Sequence, residues 1–285
     1  MAIGVAGFHH PLVRAAKALQ QKKHRRLERC FLVEGPNSVA AALDAGAKLR
    51  RVFFTRSGLP DAVSGLADRA AAQGIEVFEV DARTFGLLAQ TGSPQGVVAV
   101  AEFMERPIGE LNGFFSDSSP ALALVLHDLA DPGNVGTLIR SAEAFGAAAV
   151  CFGPNAVEPY NDKVVRASAG SLFRVIIYRY DAWPDFVAAA RGAKLSIVGA
   201  DAAAAPVMQL TPRARVALIV GHERHGLRDI PASDIDDRAG IPQSAHAESL
   251  NAGVAGSILL YELSRSTGVM GLQSREHHSE KSQAL

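Results

Sequence analysis

Three short stretches in the C-terminal half carry side chains that could do chemistry together. Asn134, Gly136 and Arg140 stand as Asn-x-Gly-x-x-x-Arg behind Asp131-Pro132-Gly133; Gly221-x-Glu223-x-x-Gly226 follows downstream; and Ile241-Pro242 leads to Ser249-Leu250-Asn251. Asn134 falls where a loop enters a helix, whose free N–H groups suit an anion or the polar edge of a ligand. Gly133 and Gly136 let a backbone approach closely. Arg140, among apolar Leu138, Ile139 and Ala142, reads either as a structural ion-pair partner or as a phosphate clamp. Glu223 follows a strand that stops at Gly221, which places a carboxylate in the crevice beyond the strand end. Ser249 takes the position of a helix N-cap ahead of Leu250, Val254, Ile258 and Tyr261, which recur at helical spacing. The other face of that helix carries Ala252, Gly253, Ala255 and Gly256. Glycine inside a helix costs about 1 kcal/mol against alanine, so two in one turn point to a tight fit against another backbone.

Competing chemistries have less support. A G-x-G-x-x-G dinucleotide fingerprint is absent. His127, His222, His225 and His246 fall near strand ends, yet no His-x-x-x-His helix or cysteine cluster accompanies them, so no metal is expected. Cys30 and Cys151 stand far apart without Cys-x-x-Cys spacing, which indicates neither a disulfide framework nor a zinc-thiolate site.

The elements that must position these residues follow from pattern. With 285 residues, 48% of them apolar, two domains are the default. Residues 11–29 read as one helix opened by Pro11, followed by a strand at Phe31-Leu32-Val33-Glu34 and a Gly35-Pro36-Asn37-Ser38 turn into an alanine-rich helix. Alternating strands and helices continue to a last strand near 95–100, giving an α/β domain over 1–103. The stretch 104–120, with Pro107, Gly109, Gly113 and Ser-Asp-Ser-Ser-Pro, has linker composition. Ala121 to Leu126 is an unbroken apolar run of the kind buried on both faces of a parallel sheet. Repeated β-α units after it, with a helix expected over 137–145 and a strand over 172–178, argue for a doubly wound second domain over 121–267, with ligands beyond the carboxyl ends of its strands. From Gly268 the tail is polar and reads as disordered. No run is long and apolar enough to span a bilayer and none resembles a signal peptide, so a soluble cytoplasmic protein is expected.

Formal net charge is zero, but its distribution is uneven. Between His9 and Arg56 eleven Lys and Arg side chains face only Glu28, Glu34 and Asp44, with Lys22, Lys23, Arg25 and Arg26 at the densest point. Such a stretch suits a polyanion, nucleic acid above all, or a solvated helix face.

The three stretches, in this order and beside these strands, resemble the three motifs of the SpoU/TrmH branch of the SPOUT RNA methyltransferases over about 121–265. Lys163-Val-Val-Arg166-Ala-Ser168-Ala-Gly170 resembles the segment between the first two motifs, and Phe31-Leu-Val-Glu34-Gly35 with Pro94-Gln95-Gly96-Val97 resembles the branch's L30e-like substrate-binding domain. The resemblance implies S-adenosylmethionine-dependent 2′-O-methylation of a ribose in RNA by a homodimer with a C-terminal trefoil knot. It further implies that Gly221, Ile241, Leu250 and Asn251 hold the cofactor. Asn134, Arg140, Glu223, Ser249 and Asn251 would shape the reaction site, with Arg166 and Ser168 toward the RNA. By analogy the N-terminal domain points to ribosomal rather than transfer RNA. The sequence departs from the family at Ala252-Gly253, where Val-Ser is usual, which bears on helix packing more than chemistry. A catalytically silent RNA-binding paralogue stays open as an alternative; an oxidoreductase on a plain Rossmann sheet has only the β-α alternation behind it.

Overall fold

The computed structural model describes residues 3–55, 61–115, 119–244 and 249–270. Arg56 of the basic stretch, His246 and the tail beyond Met270 lie outside the described residues. The chain divides into two compact units, and the first takes in both the residues up to Met104 and the distant segment Glu158–Arg174.

In the first unit the elements run β1 (Gly4–Val5), α1 (Pro11–Ala18), α2 (Lys22–Glu28), β2 (Cys30–Glu34), α3 (Pro36–Asp44), β3 (Leu49–Phe54), α4 (Asp61–Ala72), β4 (Glu76–Glu79), α5 (Ala82–Leu88) and β5 (Val97–Glu102). The sheet order is β1-β4-β3-β5-β2, mixed in direction because β5 pairs antiparallel with both β2 and β3. The helix expected over 11–29 is broken at Leu19–Gln21. The cause is Arg25, whose Nη1 donates to the carbonyls of Leu19 (3.2 Å) and Gln20 (3.0 Å) and so satisfies acceptors that a continuous helix would have used. Its other nitrogens donate to Glu158 Oε2 at 3.1 and 2.6 Å, and both residues are buried. Arg25 is therefore withdrawn from solvent and from any phosphate, whereas Lys22, Lys23 and Arg26 are exposed. Glu158 opens the returning segment, in which Tyr160 stacks on Phe103 at 4.1 Å between ring centroids and donor Met104 N reaches its hydroxyl at 2.7 Å.

The second unit holds β6 (Arg106–Pro107), α6 (Leu111–Phe114), β7 (Ala121–Leu126), α7 (Pro132–Ala144) and β8 (Ala149–Phe152). After α8 (Asp162–Ala167), which belongs to the first unit, come β9 (Ile176–Arg179), α9 (Trp183–Gly192), β10 (Ser196–Ala200), β11 (Arg215–Val220), β12 (Asp237–Ala239) and α10 (Ala252–Thr267). Its seven strands are all parallel in the order β12-β10-β11-β7-β8-β9-β6, with β7 wholly buried between β11 and β8. The stretch read as a linker is folded through Phe115: β6 forms one sheet edge, and Ile108, Leu111 and Phe115 enter the core, so scattered apolar residues decide what Pro and Gly content obscures. Strand β9 starts at Ile176, not 172, because Ser171–Phe173 make a 3₁₀ turn in the first unit. Val269 is buried, so the folded chain extends past Gly268. No helix among the described residues is long and apolar enough to cross a membrane.

The buried Arg25–Glu158 pair makes a direct prediction. Removing one partner strands the other charge, which costs about 3–5 kcal/mol. Arg25→Ala is expected to lower the urea unfolding midpoint accordingly, while exposed Arg26→Ala stays within about 0.5 kcal/mol of wild type.

Candidate active site

The first motif folds as a helix start. Asp131 is the N-cap of α7: its carboxylate accepts from Asn134 N at 2.8 Å, and Pro132 takes the first helical position. The helix expected from residue 137 thus begins at 132, and Asn134 lies in its first turn, buried. Asp131 followed by Pro132 is the sequence signal of that start.

Glu223 closes this loop from the second motif. Its carboxylate accepts from Asp131 N at 3.1 Å, Ala130 N at 3.5 Å and the Asn134 side-chain amide at 3.4 Å. Partial burial pushes its pKa up, but its own backbone N–H together with these donors outweighs burial and holds it below the usual carboxylate value. A carboxylate so engaged clamps the loop that carries Asn134.

The third motif is brought to the first by close helix packing. Asn251, not Ser249, caps α10, its Oδ1 accepting from Gly253 N (2.9 Å) and Val254 N (3.2 Å). A methyl group at Gly253 would lie 3.1 Å from Asn134 Oδ1, and one at Gly256 only 2.5 Å from Leu138 Cδ2. The small-residue face is the buried one, and it seats α10 on α7. Ser141 and Ser257 exchange a hydrogen bond at 2.7 Å along the same seam. Leu250, Val254, Ile258 and Tyr261 are left as an exposed apolar stripe.

Ile241, Ser249 and Leu250 line one cleft beyond β10 and β12, together with Asp201, Gly240 and Leu259. Its lining is mostly apolar. Gly221 is not on that wall; any side chain there would overlap the Gly226 carbonyl and Leu227, so its smallness serves the tight His222–Gly226 turn. Arg140 is exposed on α7. Six residues beyond Asn134, it is turned by roughly 240° and raised by about 9 Å, so it does not join the Asn134–Glu223 cluster within its own helix turn. Arg166 and Ser168 fall in the first unit. The Ser168 hydroxyl is fully buried and donates to the Val165 carbonyl at 2.8 Å, which removes it from the RNA-facing set.

His127 is a core group: it is buried, bonds Tyr180 Oη through Nδ1 at 2.9 Å and meets Trp183 edge-on. Burial, against the opposing charge of Asp128, lowers its pKa and keeps the ring neutral.

Residues 121–261 match the SpoU rRNA methylase family, and residues 10–99 match the MRM3-like substrate binding domain. The AdoMet-bound rRNA methyltransferase from Sinorhizobium meliloti is 30% identical, with a TM-score of 0.79 over 92% of this chain and 98% of that one. The chain belongs to the SpoU methylase family. AviRb from Streptomyces viridochromogenes, in complex with AdoMet, is 27% identical with a TM-score of 0.77, covering 90% of this chain and 98% of its own. The 23S rRNA (guanosine(2553)-2'-O)-methyltransferase RlmP of Bacillus subtilis is 28% identical over 249 residues, 87% of this chain and 93% of that protein.

Two outcomes test the site. Because its folded pKa is lowered, Glu223 contributes stability that is present above its unfolded value of about 4.3 and is lost as pH falls through the folded value. The stability gap between wild type and Glu223→Gln is therefore expected to be full at pH 7 and to shrink below about pH 4; a gap independent of pH would refute the clamp. Gly256→Val is expected to unseat α10 and lower the melting temperature, whereas Ala255→Val, half-exposed, is not.

Proposed function

We propose that this methyltransferase modifies ribosomal RNA, that Arg140 stabilises the charge developing on the attacking ribose oxygen, and that the working form is a homodimer. The chain is an RNA ribose 2′-O-methyltransferase that uses S-adenosylmethionine. When bound, the cofactor supplies an electrophilic sulfonium methyl group. The cleft walls Ile241, Leu250 and Leu259 would enclose it, and Asn251, at the cap of α10, would stand beside it. The observation carrying the reading is the Glu223 clamp, which ties the first motif to the second while the capped start of α10 packs on Asn134.

The ribose hydroxyl must lose its proton as it attacks. Glu223 is occupied by three N–H donors, and a guanidinium has no lone pair to accept a proton. The proton acceptor is then a phosphate of the RNA, and Arg140 acts as a fixed charge with forked donors. Ser249 is exposed at the cleft, and its hydroxyl would take part in shaping the reaction site.

The first unit holds the RNA, with exposed Lys22, Lys23 and Arg26 as phosphate contacts. Ribosomal RNA as substrate is supported by the B. subtilis and S. meliloti relatives, both rRNA methyltransferases. The stripe Leu250, Val254, Ile258 and Tyr261 supports a homodimer, since an apolar helix face in water seeks a partner. The return of the chain from edge strand β12 to α10 on α7 and β7 suits the family's knot. The enzyme works in the cytoplasm, where ribosomal RNA is found.

Mapping 2′-O-methyl sites in ribosomal RNA with and without the gene tests the substrate: one site is expected to vanish, and an unchanged map defeats the reading. Arg140→Ala is expected to lose about 10²–10³ in turnover and Arg140→Lys to retain part of it, at an unchanged pH–rate midpoint; a displaced midpoint would assign Arg140 as the base. Ile258→Asp with Tyr261→Asp is expected to give monomers by light scattering. Lys22→Ser, Lys23→Ser and Arg26→Ser together are expected to flatten the salt dependence of RNA binding by about 0.7–0.9 in log–log slope per lost contact.

A further inference from the structure

The first unit contains a cleft of about 300 Å³, lined by Glu34, Ser38, Thr91, Ser93, Gln95 and Arg166 among others. That volume is at the lower end of the ~300–1,000 Å³ common for small-ligand sites. One wall is made of donors, an uncapped helix start and a guanidinium paired on one side with Asp162. Helix α3 starts at Gly35, which has φ +96° and no side chain to cap it, and Pro36 has no N–H to offer. Among the described residues, the Asn37 and Ser38 N–H groups find no acceptor. Ser38 is 93% withdrawn from solvent, at 7% exposure, and its hydroxyl likewise has no hydrogen-bond partner among the described residues. Arg166 Nη1 is buried; it lies 2.9 Å from Asp162 Oδ2 but is poorly aligned for a hydrogen bond. An uncapped helix start beside a guanidinium attracts a phosphate.

The opposite wall accepts. Glu34 is 7% exposed; its Oε2 takes Gln90 N at 2.7 Å and its Oε1 takes Thr91 Oγ1 at 2.5 Å. These bonds fix the loop that carries Ser93 and Gln95, and they leave carboxylate lone pairs for one further donor. A bare anion would be repelled by that charge. A nucleotide would not: its phosphate can lie on the α3 and Arg166 side while a ribose hydroxyl or base amino group faces Glu34 and Gln95.

We propose that this cleft binds one unstacked nucleotide of the RNA substrate, its phosphate at the start of α3 against Arg166 and its sugar or base against Glu34 and Gln95. The proposal rests on the RNA methyltransferase reading and adds a second, non-catalytic point of RNA recognition. Ser38, Glu34 and Arg166 are positioned for it by three separate parts of the chain, β2–α3, the 90–95 loop and α8.

The test uses the full-length protein, isotopically labelled, titrated with the four ribonucleoside 5′-monophosphates and separately with inorganic phosphate. Nuclear magnetic resonance follows the amides of Gly35, Asn37, Ser38 and Ser93. Saturable shifts at all four are expected with nucleotides, at least tenfold weaker in Arg166→Ala and severalfold weaker in Ser38→Ala. Inorganic phosphate is expected to move only the α3 amides, and at higher concentration. No shifts, affinities unaltered in both variants, or phosphate reproducing the whole pattern would each overturn the proposal. Calorimetry with S-adenosylmethionine separates the two levels: Arg166→Ala is expected to bind cofactor as wild type does and to show a raised KM for RNA. A wild type that binds no cofactor would instead count against the enzymatic reading.

Discussion

The second unit depends on one close approach between helices. Gly253 and Gly256 remove the side chains that would hold α10 away from α7, and the gap they leave is filled by Asn134 and Leu138. Each glycine costs about 1 kcal/mol in helix propensity, a cost offset by contact that a methyl group would abolish. From this seam the site follows. Asn134 is pinned between the start of α10 and the Glu223 carboxylate, and Asp131 caps the helix that carries it. The same seam turns Leu250, Val254, Ile258 and Tyr261 outward, so one packing choice both assembles the motifs and creates an apolar surface.

Charge is used in opposite senses within a few residues of chain. Lys22, Lys23 and Arg26 stay in water, where they can exchange counterions for phosphates. Arg25 turns inward, ends α1 and meets Glu158. A buried pair of this kind adds little net stability but punishes loss of either member. It therefore fixes where the returning segment docks on the first unit, and with it the place of Arg166. In the second unit Glu223 repeats the logic: its charge is held by backbone and amide N–H groups of the first motif.

Much of this was legible in order and type. The two α/β units and the loops at the strand ends follow from strand patterns and glycine placement; Asn134 and Glu223, from separate motifs, do meet, and the Ile241 and Leu250 loop lines a cleft. Boundaries were less so. The break at Leu19–Gln21 needed a side chain acting on carbonyls five and six residues away. The folded 106–115 stretch looked like a linker because its Pro and Gly residues outweigh the three apolar side chains that reach the core.

The sequence by itself determined which residues are candidates for chemistry and in what order they stand along the chain, because motif spacing, turn residues and hydrophobic period are local properties. Only the tertiary structure decided which side of each element meets protein. The two glycines marked one face of α10 for a tight fit without naming what it meets, and the partners are Leu138 and Asn134, more than a hundred residues earlier. Four adjacent basic residues were equivalent in the sequence until Glu158 took Arg25. Burial is set by partners distant in the chain, and no local pattern contains them.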